Sequence, residues 1–145
     1  MKHVLRPVPL GAAFVVLASA IVVSAHFDAA WWLIAFGVIG PDLSFLAAVG
    51  QPAGDGGQMP TRAVRPYNLA HHPAGPTLTL TVGAMLRSPT LGALSLAWAS
   101  HLLWDRGVGY GMRAGDGSII APPIRRTHIV LHLAHGVRRE PGSRR

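Results

Sequence analysis

The chain has 145 residues, of which half are hydrophobic and only 13% charged, and its mean hydropathy is +0.34. One domain fits that length, and the composition excludes an ordinary polar soluble domain and points to a membrane protein. The net charge of +7 would suit nucleic acid. Its distribution argues otherwise: with the amino terminus in the cytoplasm, every basic residue except Arg87 falls on the inner side of the expected spans, which is the positive-inside pattern. Nucleic acid is therefore not an expected partner. The absence of cysteine excludes disulfides and thiolate ligands, so any metal site must be built from His, carboxylates and amides.

A membrane-spanning helix needs about 20 mostly apolar residues, and four windows of that kind follow one another. The first span, about 8–25, is rich in Ala, Val and Leu, with small residues that let helices approach closely; its expected job is packing. Its apolar stretch is longer than the h-region of a cleaved signal peptide, so it is read as an uncleaved span. The second, about 30–49, opens with Trp31 and Trp32, where an interfacial aromatic belt belongs, and contains Gly37-Val38-Ile39-Gly40-Pro41-Asp42. Proline removes a backbone hydrogen bond and clashes with the preceding turn, so a kink or break is expected near Gly37 to Pro41. Asp42 then either faces the interior of the bundle or merely caps a following short helix.

Gly50 to Pro66 has loop composition and forms the cytoplasmic connection. The third span, about 67–86, starts with Tyr67-Asn68-Leu69-Ala70-His71-His72-Pro73; Asn68 shares a helix face with the histidines, and His72 points away from His71. The fourth, about 89–106, carries His101 and Asp105 one turn apart, which presents an imidazole and a carboxylate on one face. The remainder, 107–145, is a basic cytoplasmic tail. Within it Ile124 to Val137 reads as a short amphipathic helix, with His128 on it, whose arginines lie near anionic inner-leaflet lipid.

The alternation of directions predicts more than any one motif does. Span two runs inward, span three outward and span four inward, so Asp42, His71, His101 and Asp105 are delivered from three helices to the cytoplasmic half of one bundle. Two imidazoles and two carboxylates suit a divalent metal such as zinc, manganese or iron, with Asn68 and Arg106 in supporting positions. An open coordination position would acidify a water that attacks a membrane-proximal ester or phosphoester. The bland alternative is a structural or interaction protein in which the same groups form hydrogen bonds and ion pairs, for instance with Arg106, that only fix helix packing. A third reading is bis-histidine haem ligation by His71 and His101. Transport is a fourth, but no half-repeat is visible.

The blocks Gly40-Pro41-Asp42-Leu43-Ser44, Tyr67-Asn68-Leu69-Ala70-His71, Trp98 to His101, Asp105-Arg106 with Gly109-Tyr110-Gly111, and Thr127-His128 resemble those of domain-of-unknown-function family 4260, small bacterial integral membrane proteins. The resemblance covers roughly Phe27 to His128. It implies four spans, in agreement with the all-α bundle of four transmembrane helices in a single domain, multi-pass in the inner membrane with both termini cytoplasmic, that the apolar windows and the basic residues predict; a homo-oligomer is compatible with it. It singles out Asp42, His71, His101, Asp105 and His128 and implies no activity. More distantly, the order Pro-Asp, His, His-plus-Asp is similar to inner-membrane-associated metal-dependent hydrolases, a likeness that does not fix a function.

Overall fold

The computed structural model of the chain describes residues 5–52, 54 and 58–120. Its elements are α1 (Pro7–His26), α2 (Trp32–Ile39), a 3-10 helix (Gly40–Ala48), α3 (Thr61–Ala70), α4 (Ala74–Met85) and α5 (Pro89–Val108). Extended pairing among the described residues is limited to one antiparallel bridge between Arg113 and Ile119, so the fold is all-α as expected.

The helix that organises the rest is α5, which packs against α1, α2 and α4, while the 3-10 helix lies on α3. Local chemistry sets its limits. Ser88 caps the start by accepting a hydrogen bond from the Leu91 N–H at 3.4 Å, and Pro89 occupies the first turn, where its missing N–H costs nothing. Gly109 ends the helix in the left-handed region, φ 93°, a conformation glycine adopts without a Cβ penalty. The amide of Tyr110 then bonds back to the Asp105 carbonyl at 2.7 Å.

Neighbouring helices run alongside α5 with alternating sense. The foot of α1 lies against the end of α5, where the Arg6 N–H donates to the Gly107 carbonyl at 2.8 Å and Phe14 meets Trp104 edge-on at 5.6 Å between centroids. Gly37 of α2 sits so close to α5 that an added Cβ would lie 2.7 Å from the Ala97 Cβ. Such an approach is open only to the smallest residue.

Two departures from the expected spans have the same cause, proline. The second span does not continue as one α-helix: at Gly40-Pro41 it tightens into nine residues of 3-10 helix, an unusually long run for that geometry. The third span, expected as one helix over 67–86 after a loop reaching Pro66, is two helices with a break at His71–Pro73, and the first of them starts at Thr61, inside the expected loop. Pro73 disfavours helical backbone at His72, and side chains take over the interrupted bonds. The Trp98 indole N–H donates to the Ala70 carbonyl at 2.9 Å, and His72 Nδ1 accepts the Ala74 N–H at 3.1 Å.

After α5 the first residues of the expected tail turn back on the bundle. Gly111 to Ile120 make a tight hairpin, with Ala114 N–H to Ser118 O and Ile120 N–H to Met112 O both at 2.9 Å. At its tip the hydroxyl and amide of Ser118 hold the Asp116 carboxyl below the usual carboxylate range. The hairpin bonds Met59 through the Gly117 carbonyl at 3.1 Å. Beside it is a small core of Met59, Ala63, Val64 and Tyr67, packed against Ala47 and Ala48. The expected amphipathic helix and His128 lie outside the described residues.

Among the described residues α1 is the helix long and apolar enough to cross a membrane, and only 17% of its apolar window is buried inside the fold.

Candidate metal centre

Three separate elements supply the site. Asp42 comes from the first turn of the 3-10 helix, His71 from the C-cap of α3, and His101 and Asp105 from successive turns of α5. The proline-induced tightening turns Asp42 toward α5. The break after α3 leaves His71 at a helix end, stacked on Tyr67 and next to Ala70, whose carbonyl the Trp98 indole holds.

The ligand-type atoms converge. His71 Nε2 and His101 Nε2 are 3.2 Å apart. Asp42 Oδ1 lies 3.6 Å from each of them, and Asp105 Oδ2 is 3.3 Å from His71 Nε2 and 3.6 Å from His101 Nε2. An ion with bonds of about 2.0–2.1 Å in tetrahedral geometry requires ligand atoms about 3.3–3.4 Å apart, and these five separations straddle that value. Asp42, His71 and His101 alone form a three-residue group of metal-binding type. The histidines are buried, at 3% and 7% exposure, and Asp105 is nearly so, whereas the Asp42 side chain is half exposed and opens the site on one side.

The orientation of His71 is fixed from behind. Its Nδ1 lies 2.9 Å from the Tyr67 carbonyl. A carbonyl only accepts, so Nδ1 carries the proton and a neutral His71 presents the lone pair of Nε2 to the site. This is the arrangement by which a backbone carbonyl orients a ligating imidazole. The Tyr67 ring stacks on that imidazole at 3.9 Å between centroids and 18° between planes, and the Arg113 guanidinium lies over the other aromatic neighbourhood of Tyr67, 5.5 Å from its centroid. Tyr67 and Trp98 were therefore the positioning residues that sequence reasoning did not single out. The signal available was Tyr67 lying one helical turn before His71.

Two expected supporting residues have different places. Asn68 does not turn to the cluster: its side chain pairs with the backbone of Arg113, Nδ2–H to O and N–H to Oδ1, both at 2.8 Å. It ties the hairpin to α3. Arg106 is exposed, and among the described residues no ion pair joins it to Asp42 or Asp105, so the envisaged carboxylate–Arg106 lock is absent there. Bis-histidine haem ligation does not fit this arrangement, because carboxylate oxygens of Asp42 and Asp105 lie 3.3–3.6 Å from the same two Nε2 atoms, where the macrocycle would have to pass.

A cavity of about 480 Å³ adjoins the open side, between α1, α2 and α5, and reaches Asp42, His101 and Asp105. Against this geometry the comparison with known families is specific. Residues 10–121, spanning every element that supplies the site, match the model described as Domain of unknown function (DUF4260). The chain is a member of the DUF4260 family. No curated protein and no solved structure matches it. The centre of this DUF4260 protein therefore has to be interpreted from its own atoms.

Proposed function

We propose that this DUF4260 protein is a multi-pass membrane protein of the inner membrane, with both termini cytoplasmic, in which Asp42, His71, His101 and Asp105 hold one divalent metal ion that hydrolyses a membrane-proximal ester or phosphoester. What carries the reading is the convergence of Asp42, His71 and His101 from three elements at ligand-to-ligand spacing, with the Asp105 carboxylate at 3.3 and 3.6 Å from the two imidazoles. Two imidazoles and two carboxylates make a donor set for zinc, manganese or iron. Without a cation, two carboxylates held beside buried imidazoles are expensive in a low-dielectric setting, and a dication offsets that cost.

The membrane reading rests on the outer surface. The exposed side chains include Val8, Phe14, Val15, Ile21 and Val22 on α1 and Leu78, Leu80, Val82 and Met85 on α4, an apolar girdle far beyond the scattered exposures normal in water. Length agrees with it. The 20 residues of α1 and of α5 reach about 30 Å each. The eight α-helical and nine 3-10 residues from Trp32 to Ala48 add up to about the same, since the 3-10 geometry rises about 2.0 Å per residue.

A metal ion bound there would supply a Lewis acid that acidifies water and polarises the scissile oxygen. The chain's own part is to aim Nε2 of His71 through its bond to Tyr67, to present Asp42 at the cavity mouth, and to keep Asp105 beside both imidazoles. The experiment is elemental analysis of the purified protein. About one equivalent of metal per chain, lost in Asp105→Ala and His101→Ala, supports the proposal. Metal-free protein that keeps its fold overturns it in favour of a polar cluster that only fixes helix packing.

A further inference from the structure

The charge balance of the site and of the cavity beside it discriminates between the two substrate classes left open above. The cavity between α1, α2 and α5 is walled by Phe14, Leu17, Val38, Ile39, Trp104 and Val108; apart from the centre's own side chains, its polar lining is Ser100 and Tyr110, and among the described residues no Lys or Arg lines it. The Ser100 hydroxyl is already spent on the Ala97 carbonyl at 2.7 Å. Arg106 lines a groove between α4 and α5 and a small crevice with Tyr67, His71 and Asp105, but not this cavity, and the Arg113 guanidinium lies over the Tyr67 ring.

A dication held by two carboxylates is electrically neutral. A phosphoester brings at least one negative charge that remains on the bound group, and here it would enter an apolar cavity beside a neutral centre, with no Lys or Arg of the described residues lining that cavity to meet it. Burying an unpaired charge in such surroundings is strongly unfavourable, and sites that hold phosphates supply arginine, lysine or helix N-termini for that purpose. A carboxylic ester carries no such charge, and its alkyl portion matches the walls. The cavity's volume of about 480 Å³ lies within the roughly 300–1,000 Å³ of small-molecule sites.

Resting on the metal-hydrolase reading, we propose that the substrate is an uncharged carboxylic ester with an alkyl or acyl chain, the chain lying between α1, α2 and α5 and the ester carbonyl facing Asp42. In the reaction, the oxygen of water bonds to the acyl carbon as the ester C–O bond breaks. One proton of the water passes to the departing alkoxide, which leaves as alcohol, and the other is released as the acid ionises to carboxylate.

The test uses the zinc-loaded full chain in detergent, with zinc content measured first. Methyl decanoate is expected to raise the thermal midpoint, and decyl phosphate, with the same chain and a charged head, is not. Leu17→Trp, which fills the cavity, is expected to retain zinc, to abolish the methyl decanoate shift, and to lower the ratio of turnover on p-nitrophenyl decanoate to that on p-nitrophenyl acetate about tenfold or more. Val38→Phe, on the facing wall, serves if Leu17→Trp does not fold. Stabilisation of zinc-loaded protein by decyl phosphate equal to that by the ester overturns the substrate class while leaving the metal reading intact, as does an unchanged chain preference in both variants. Protein that binds none of zinc, manganese and iron overturns the metal reading itself, and this proposal with it.

Discussion

At the scale of single residues the centre separates into groups that point at one spot and groups that hold them there. His101 and Asp105 were legible in the sequence because a four-residue spacing on a helix fixes a shared face whatever the tertiary structure. The role of Asn68 was not, because its partner, the Arg113 backbone, is 45 residues away and no local pattern announces a pairing of that kind. The two kinds of residue respond differently to substitution. Asn68→Ala removes two hydrogen bonds and leaves the backbone N–H and C=O of Arg113 without their partners, a loss of about 2–3 kcal/mol. The bound metal is expected to stay at the wild-type stoichiometry while the thermal midpoint falls. Asn68→Asp retains the acceptor for the Arg113 N–H and loses only the donor, so it should fall between the two. Loss of metal in Asn68→Ala would place the side chain among the ligands instead, and elemental analysis beside a melting curve tells these outcomes apart.

Elements are where proline and glycine decide the outcome. A break near Gly37 to Pro41 was readable from the residues, since a missing N–H and a ring clash act wherever the proline stands. The form of the break was not. Whether the chain stops, kinks or tightens depends on what lies alongside, and here α3 packs against the 3-10 run. The split of the expected third span had the same source in Pro73, but its stability comes from Trp98, whose indole satisfies the Ala70 carbonyl across the helix interface, a contact that periodicity cannot reveal. Gly37 carries a close helix approach, with space for a Cβ already occupied by Ala97 and by the Leu94 carbonyl, at 2.7 and 2.9 Å. Gly37→Val must push α2 away from α5, which costs about 1–3 kcal/mol and moves Asp42, five residues further along, relative to His101. Both a lowered midpoint and a weakened metal affinity are expected. Gly37→Val combined with Ala97→Gly, which returns the lost space, should recover part of each; a double variant no better than the single one would show that the α2–α5 approach does not position the site.

For the whole molecule, one arrangement accounts for both the outer surface and the site. Alternating helices bring residues far apart in sequence to the same end: Arg6 meets Gly107, and Asp42, His71 and Asp105 meet near that level. This convergence could be anticipated from the expectation of successive membrane spans, because a bilayer would impose antiparallel order whatever the side-chain detail. The folding back of Gly111 to Ile120 could not, since its glycines read equally well as an open tail. On the proposed membrane reading the same arrangement fixes which segments share a face of the membrane, and a chain with no cysteine allows that to be examined one introduced thiol at a time. Arg62→Cys at the start of α3 and Gly115→Cys in the hairpin should both be shielded from a membrane-impermeant maleimide in intact cells and react once the membrane is opened. Arg87→Cys, in the turn between α4 and α5, should react from outside without permeabilisation. Only this pattern puts the mouth of the metal centre at the cytoplasmic end, because Met59, beside α3, is bonded to the hairpin and the hairpin to Asn68, three residues before His71. Labelling of Gly115→Cys from outside would invert the molecule and move the centre to the opposite leaflet; labelling of Arg62→Cys and Gly115→Cys on opposite sides would break the bundle order on which the convergence depends.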